Sequence, residues 1–147
     1  MQYKKILNMA IINMQTMRYI NLFERVARVR ATKCFVYNNM IYFAVPPRFF
    51  LKANGNHNQA AKMLSEQLGK RIRIIRDAND DIESVGRFVE SVVSPASFDD
   101  FEMQNGVYVI IAGSRERAAT LIGRNKIRLN ELNAIMESYF GKEVKVV

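Results

Sequence analysis

The sequence predicts an α+β chain of two tandem domains, and three observations predict it. One pattern of apolar spacing is written twice, with matched landmarks offset by 67, 68 and 72 residues. Within each copy, stripes of helical period alternate with short β-branched runs, so helices and strands are interleaved. The only strongly acidic stretch falls between the copies, where a boundary belongs. The reading gives residues 1–16 as a flexible extension, 17–77 as the first domain and 78–147 as the second.

The first copy opens on Tyr19, Leu22, Phe23, Val26 and Val29, which share one face of a helix. A strand through Cys34 and Phe35 follows. Asn38-Asn39 then separates two apolar runs, the mark of a two-residue hairpin, because Asn tolerates the positive φ such turns demand. After the second strand, Pro46-Pro47 precede Phe49 and Phe50 at a helix start. A glycine loop at Gly55 opens the next helix, GNHNQAAKML. LGKRIRII (Leu68–Ile75) closes the copy, with Gly69 ending the helix and Ile72 and Ile74 pointing inward from the final strand.

The second copy repeats the order. Ile82, Val85, Val89 and Val92 make its first helical stripe, which Pro95 closes. Asn105-Gly106 is the hairpin signal, Gly123 starts the loop into GRNKIRLNEL, and FGKEVKVV (Phe140–Val147) ends the chain. Each copy therefore reads helix, strand, turn, strand, helix, glycine loop, helix, strand. Eight elements in register point to duplication. The second loop-opened helix is longer by about one turn.

Charge narrows the class of partner. The chain of 147 residues has a formal net charge of +8 and is 49% hydrophobic, as suits a folded protein with a polyanionic partner. Residues 1–45 and 46–76 each carry seven basic and one acidic side chain, whereas residues 77–113 carry one basic and eight acidic. The basic surfaces thus flank an acidic connector, RDANDD.

Catalysis has no candidate constellation. His57 is the only histidine, which removes His-based metal sites and nucleophile activation. Cys34 stands alone as a packed thiol, and no phosphate-binding loop or dinucleotide fingerprint occurs. Asp80-Asp81 and Asp99-Asp100 read as solvated turn residues. The chain is expected to be neither an enzyme nor a cofactor or metal protein. The N-terminal stretch carries Lys4 and Lys5 ahead of apolar residues, as a secretory leader does. Asn8, Asn13 and Gln15 interrupt it, however, and no small-residue cleavage site follows. The lone cysteine and the lack of a spanning run lead to the expectation of a cytoplasmic protein off the membrane, and a monomeric two-domain unit is the simplest expectation.

The element order, the loop between two helices and the GK-plus-alternation endings GKRIRII and GKEVKVV resemble the prokaryotic-type (type II) KH domain. The opening MRYINLFERVARVRATKCFV resembles the family's first helix and strand. Two such domains in tandem look like the archaeal NusA-like transcription factors, over residues 17–147. The resemblance implies, in each domain, a three-stranded sheet packed on one face by three helices. It also implies single-stranded RNA held at an Ile-Gly-x-x-Gly loop. The glycines there let backbone approach a phosphate strand, and the following helix presents free N–H groups and the positive end of its dipole. About four nucleotides are clamped this way.

Both loops depart from the motif at its second glycine. They read Asn54-Gly55-Asn56-His57-Asn58 and Ile122-Gly123-Arg124-Asn125-Lys126. Asn58 is a mild change, because Asn caps helices and tolerates left-handed backbone. Lys126 exchanges close approach for a phosphate-pairing charge, Ile122 is expected beneath a base, and Asn56, His57 and Asn58 are expected as polar contacts in the first loop. Lys52, Lys62, Arg71 and Arg73 around the first loop, and Arg115, Arg117 and Arg128 around the second, complete the expected RNA track. The expected function is that of an RNA-binding transcription elongation or termination factor holding nascent transcript beside RNA polymerase. The alternatives are a ribosome- or ribosomal-RNA-associated KH protein, and a scaffold whose altered loops have given up RNA.

Overall fold

In the computed structural model the described residues are 2–55 and 58–147, with side chains from Met14 onward. The described residues form six α-helices, two short 3-10 turns and six strands in two three-stranded sheets, ordered β1-β2-β3 and β4-β5-β6. The elements are α1 (Gln2–Ala27), β1 (Lys33–Tyr37), β2 (Met40–Val45), α2 (Phe50–Asn54), α3 (Gln59–Leu68) and β3 (Arg71–Arg76). They are followed by α4 (Ile82–Val93), β4 (Asp100–Gln104), β5 (Val107–Ile111), α5 (Arg115–Ile122), α6 (Ile127–Phe140) and β6 (Val144–Val146). Two compact units result, residues 1–35 with 40–74, and residues 36–39 with 75–147.

The first unit's core lies between its helices and one face of its sheet. Cys34, Ile41, Phe43, Val45 and Ile74 meet Phe23 and Ala27 of α1, Ala53 of α2, and Ala60 and Leu64 of α3. Alternation along β2 and β3 produces this face, since successive strand side chains point to opposite sides. The Phe23 and Phe43 rings stack at 4.5 Å and join α1 to the sheet. Each such fully buried side chain contributes about 2 kcal/mol. Phe49 and Phe50 pack against the cluster, as core residues. Burial pushes the Cys34 thiol from 9.0 up to about 12, so it is inert packing at neutral pH.

α1 is longer than its apolar stripe. Its backbone is helical from Gln2, so residues 2–16, expected as a flexible extension, continue the helix instead. The Asn-rich spacing that hid this segment lowers its amphipathicity without breaking the helical backbone, because Asn costs only a fraction of a kcal/mol per helical position (~0.7 at most).

The second unit repeats the plan. β4 and β5 pair antiparallel, from Asp100↔Ile111 to Gln104↔Val107 across the Asn105-Gly106 turn. β5 and β6 pair parallel, from Tyr108↔Val144 to Ile110↔Val146. Val85, Val89 and Val92 are fully buried along α4, while Ile82 at its start stays 39% exposed. Asp81 caps α4 by accepting from the Ser84 amide at 2.9 Å, a use for a residue that sequence placed in a solvated turn. The Phe88 and Phe140 rings meet edge-on at 5.4 Å, and Asn133 Oδ1 accepts from the Val144 amide at 2.8 Å, tying α6 to β6. Tyr108, buried and near the charge of Asp80, has its hydroxyl pKa raised, chiefly by burial.

Candidate functional site

Each unit carries a loop between two helices, and the two loops share one backbone path. Gly55 ends α2 at φ 65°, ψ −166°, and Gly123 ends α5 at φ 75°, ψ 170°. Three residues on, Asn58 opens α3 at φ 57°, ψ 35°, and Lys126 opens α6 at φ 62°, ψ 22°. The pairs are related by the same 68-residue offset. The position where a second glycine was expected is therefore left-handed in both loops although neither holds glycine. The left-handed region costs an L-residue roughly 1–2 kcal/mol, less for Asn. Lys126 bears that cost with no side-chain compensation, and Asn125 beside it is also left-handed, at φ 55°.

Neither Asn58 nor Lys126 makes a side-chain capping bond. Among the described residues no side chain caps the first-turn amides of α3 or α6, and the positive end of each helix dipole sits at its loop. Asn56 and His57, expected as polar contacts in the first loop, lie outside the described residues.

The basic residues divide into free and engaged groups. Arg115, Arg124 and Lys126 near the second loop, and Lys52, Lys62 and Arg71 near the first, are exposed. Arg117 is taken by Asp99 at 2.6 Å, and Arg128 by Glu131 one helical turn away. Asp99 itself was expected only as a solvated turn residue. Arg128 also packs on the loop: a β-carbon on Gly123 would stand 2.7 Å from Arg128 Cγ and 3.1 Å from its amide nitrogen. At Gly55 the nearest atom to such a β-carbon is Gln59 Cβ at 3.9 Å. Arg73 reaches across its own sheet, with its guanidinium 5.6 Å from the Tyr42 ring centre and Nη1 donating weakly to the hydroxyl at 3.4 Å. Among the described residues the expected track thus reduces to six unpaired cations, with Arg117, Arg128 and Arg73 engaged in ion pairs or ring contacts.

Ile122, expected beneath a base, is half-buried at the end of α5. Two apolar groups beside the loops were missed: Leu51 on α2, 81% exposed, and Ile127 at the start of α6, 47% exposed. Stripe analysis assigns apolar residues inward, so the usable signal is an apolar residue off-stripe next to a glycine loop. Among the described residues no group of three or more His, Cys, Asp or Glu can hold a metal, and no helix is long and apolar enough to cross a membrane.

Comparison with known proteins supports the architecture. A solved structure titled "Crystal structure of APE1850" is similar to this chain at 25% identity, with a TM-score of 0.65. The match covers 91% of this chain and 99% of that one. No protein-family model matches, and no curated protein does. Both units therefore belong to one architecture with a solved counterpart, whose title names no activity.

Proposed function

We propose that the protein is a non-catalytic RNA-binding factor of two tandem type II KH domains, holding single-stranded RNA at its two helix-linking loops. The observation that carries this reading is the shared backbone of the loops, Gly55 to Asn58 and Gly123 to Lys126. Each ends one helix on a positive-φ glycine and opens the next on a left-handed residue that makes no side-chain cap, with unpaired cations beside it. That arrangement suits a phosphate strand: amides and a dipole meet the backbone, Arg124 and Lys126 supply charge, and Ile127 or Leu51 lies where a base can rest. Phosphate contacts of this kind hold RNA without fixing its sequence.

The role assigned is transcription elongation or termination, with nascent transcript as ligand and RNA polymerase as neighbour. It rests on the resemblance of residues 17–147 to NusA-like factors. Two experiments test the reading in turn. Fluorescence anisotropy should detect binding to an unstructured RNA oligonucleotide, and no binding at low salt would refute the RNA assignment. Crosslinking in cells followed by RNA sequencing should recover nascent messenger transcripts. Recovery of ribosomal RNA alone would move the protein to the ribosome.

A further inference from the structure

We infer a second nucleotide-binding site in the first unit, in the cleft between the end of α1 and the start of α2. The cleft measures about 680 Å³, within the range of small-molecule sites. Ile20, Val29, Ala31, Pro46 and Phe49 supply apolar wall, and Arg28, Arg30 and Lys52 line it with positive charge. Among the described residues no acidic side chain lines it. Glu24 neutralises Arg30 at 3.0 Å, which leaves Arg28 and Lys52 as exposed cations without a partner.

Two features specify what the cleft takes. First, Arg28 sits in the left-handed region at φ 60°, where a helix end ordinarily has glycine. Its amide donates to the Glu24 carbonyl at 2.9 Å, closing α1 and fixing where the Arg28 side chain starts. An arginine held in strained backbone beside a cleft points to a function for its side chain. Second, the Phe49 ring at the wall already carries the Arg48 guanidinium, 4.8 Å from its centre. The part of the half-buried Phe49 ring that the cleft exposes is an apolar surface against which a flat nucleobase can rest. A flat apolar body joined to a phosphate fits both halves of the cleft, and an acidic peptide fits only the charged half.

Lys52 also lines a smaller hollow beside Gly55 and Gln59, so the cleft abuts the first loop. The ligand is thus a nucleotide, either free or as one residue of an RNA strand continuing from that loop. The strand case rests on the proposed function; the free case does not.

The test is an NMR titration of the full chain with adenosine 5′-monophosphate, ribose 5-phosphate and polyglutamate. The nucleotide should shift the amides of Arg28 to Thr32 and of Phe49 more than ribose phosphate does. Arg28→Ala with Lys52→Ala should weaken it about tenfold, the scale of one charged hydrogen bond. Lys52→Glu alone, on an exposed helical position, should weaken it in a chain whose fold is not in question. Competition by a short oligoadenylate would assign the nucleotide to an RNA strand, and its absence would assign it to a free nucleotide. The inference is overturned if these amides do not move, if polyglutamate moves them equally, or if Lys52→Glu binds the nucleotide as the parent does.

Discussion

The Gly55 and Gly123 loops follow the same path but are built for different demands. At Gly123 a β-carbon has no room, because Arg128 closes over it, and Arg124 and Lys126 present two free charges. At Gly55 there is space around the glycine, and the described helix-opening residue, Asn58, is uncharged. One loop is tight and cationic; the other is open and polar at that position. The left-handed helix opening is common to both, although neither helix opens on glycine. Charge is where the copies have diverged.

The largest expected effect follows from the packing difference. Gly123→Ala should destabilise the protein by about 3 kcal/mol, combining left-handed strain with a clash against Arg128. Gly55→Ala should cost about 1 kcal/mol, from φ alone. Urea denaturation of both variants measures the contrast, and equal losses would break it. Next comes charge: Arg124→Glu with Lys126→Glu should lower affinity for unstructured RNA at least about tenfold, given the strength of charged hydrogen bonds. Lys52→Glu with Lys62→Glu should cost less at the loops. Anisotropy titrations rank the two, and the reverse order would make the first loop the main clamp.

Restoring glycine sharpens the comparison further. Lys126→Gly should raise stability by about 1 kcal/mol by relieving left-handed strain, yet weaken RNA binding a few-fold by removing a phosphate partner. Asn58→Gly should change both by less, since Asn tolerates that backbone. Thermal melts and anisotropy on the same samples separate backbone from charge. The smallest effect concerns Cys34, in the core beside the first loop's helices. Its folded pKa is raised, so the thiol's contribution is fully present below pH 9.0 and is lost as pH rises toward about 12. Below that window a thiol reagent should label it only on unfolding, and prompt labelling at neutral pH would contradict its burial.

Much of the fold was legible because it was written twice. The Asn38-Asn39 and Asn105-Gly106 turns, the paired loops and the GK strand endings each recur at nearly one spacing. Turn chemistry and period-2 alternation are local properties that a sequence displays. α1 was underestimated, since Asn8 and Asn13 blur a stripe without stopping a helix. The site was less legible for the opposite reason. Whether an arginine is free depends on residues distant in sequence or one turn away, as with Arg117 on Asp99 and Arg128 on Glu131. Exposed Leu51 and Ile127 were hidden by the rule that apolar residues turn inward. Asp81, read as a solvated acid, caps α4.

The salt dependence of RNA affinity tests the central claim most directly. If Arg124 and Lys126 neutralise phosphates, the logarithm of affinity should fall linearly with the logarithm of salt concentration. Replacing both with alanine should make that slope shallower by about 1.4, at roughly 0.7 per phosphate contact on a single strand. A slope near zero in the parent chain, or an unchanged slope in the variant, would contradict the account.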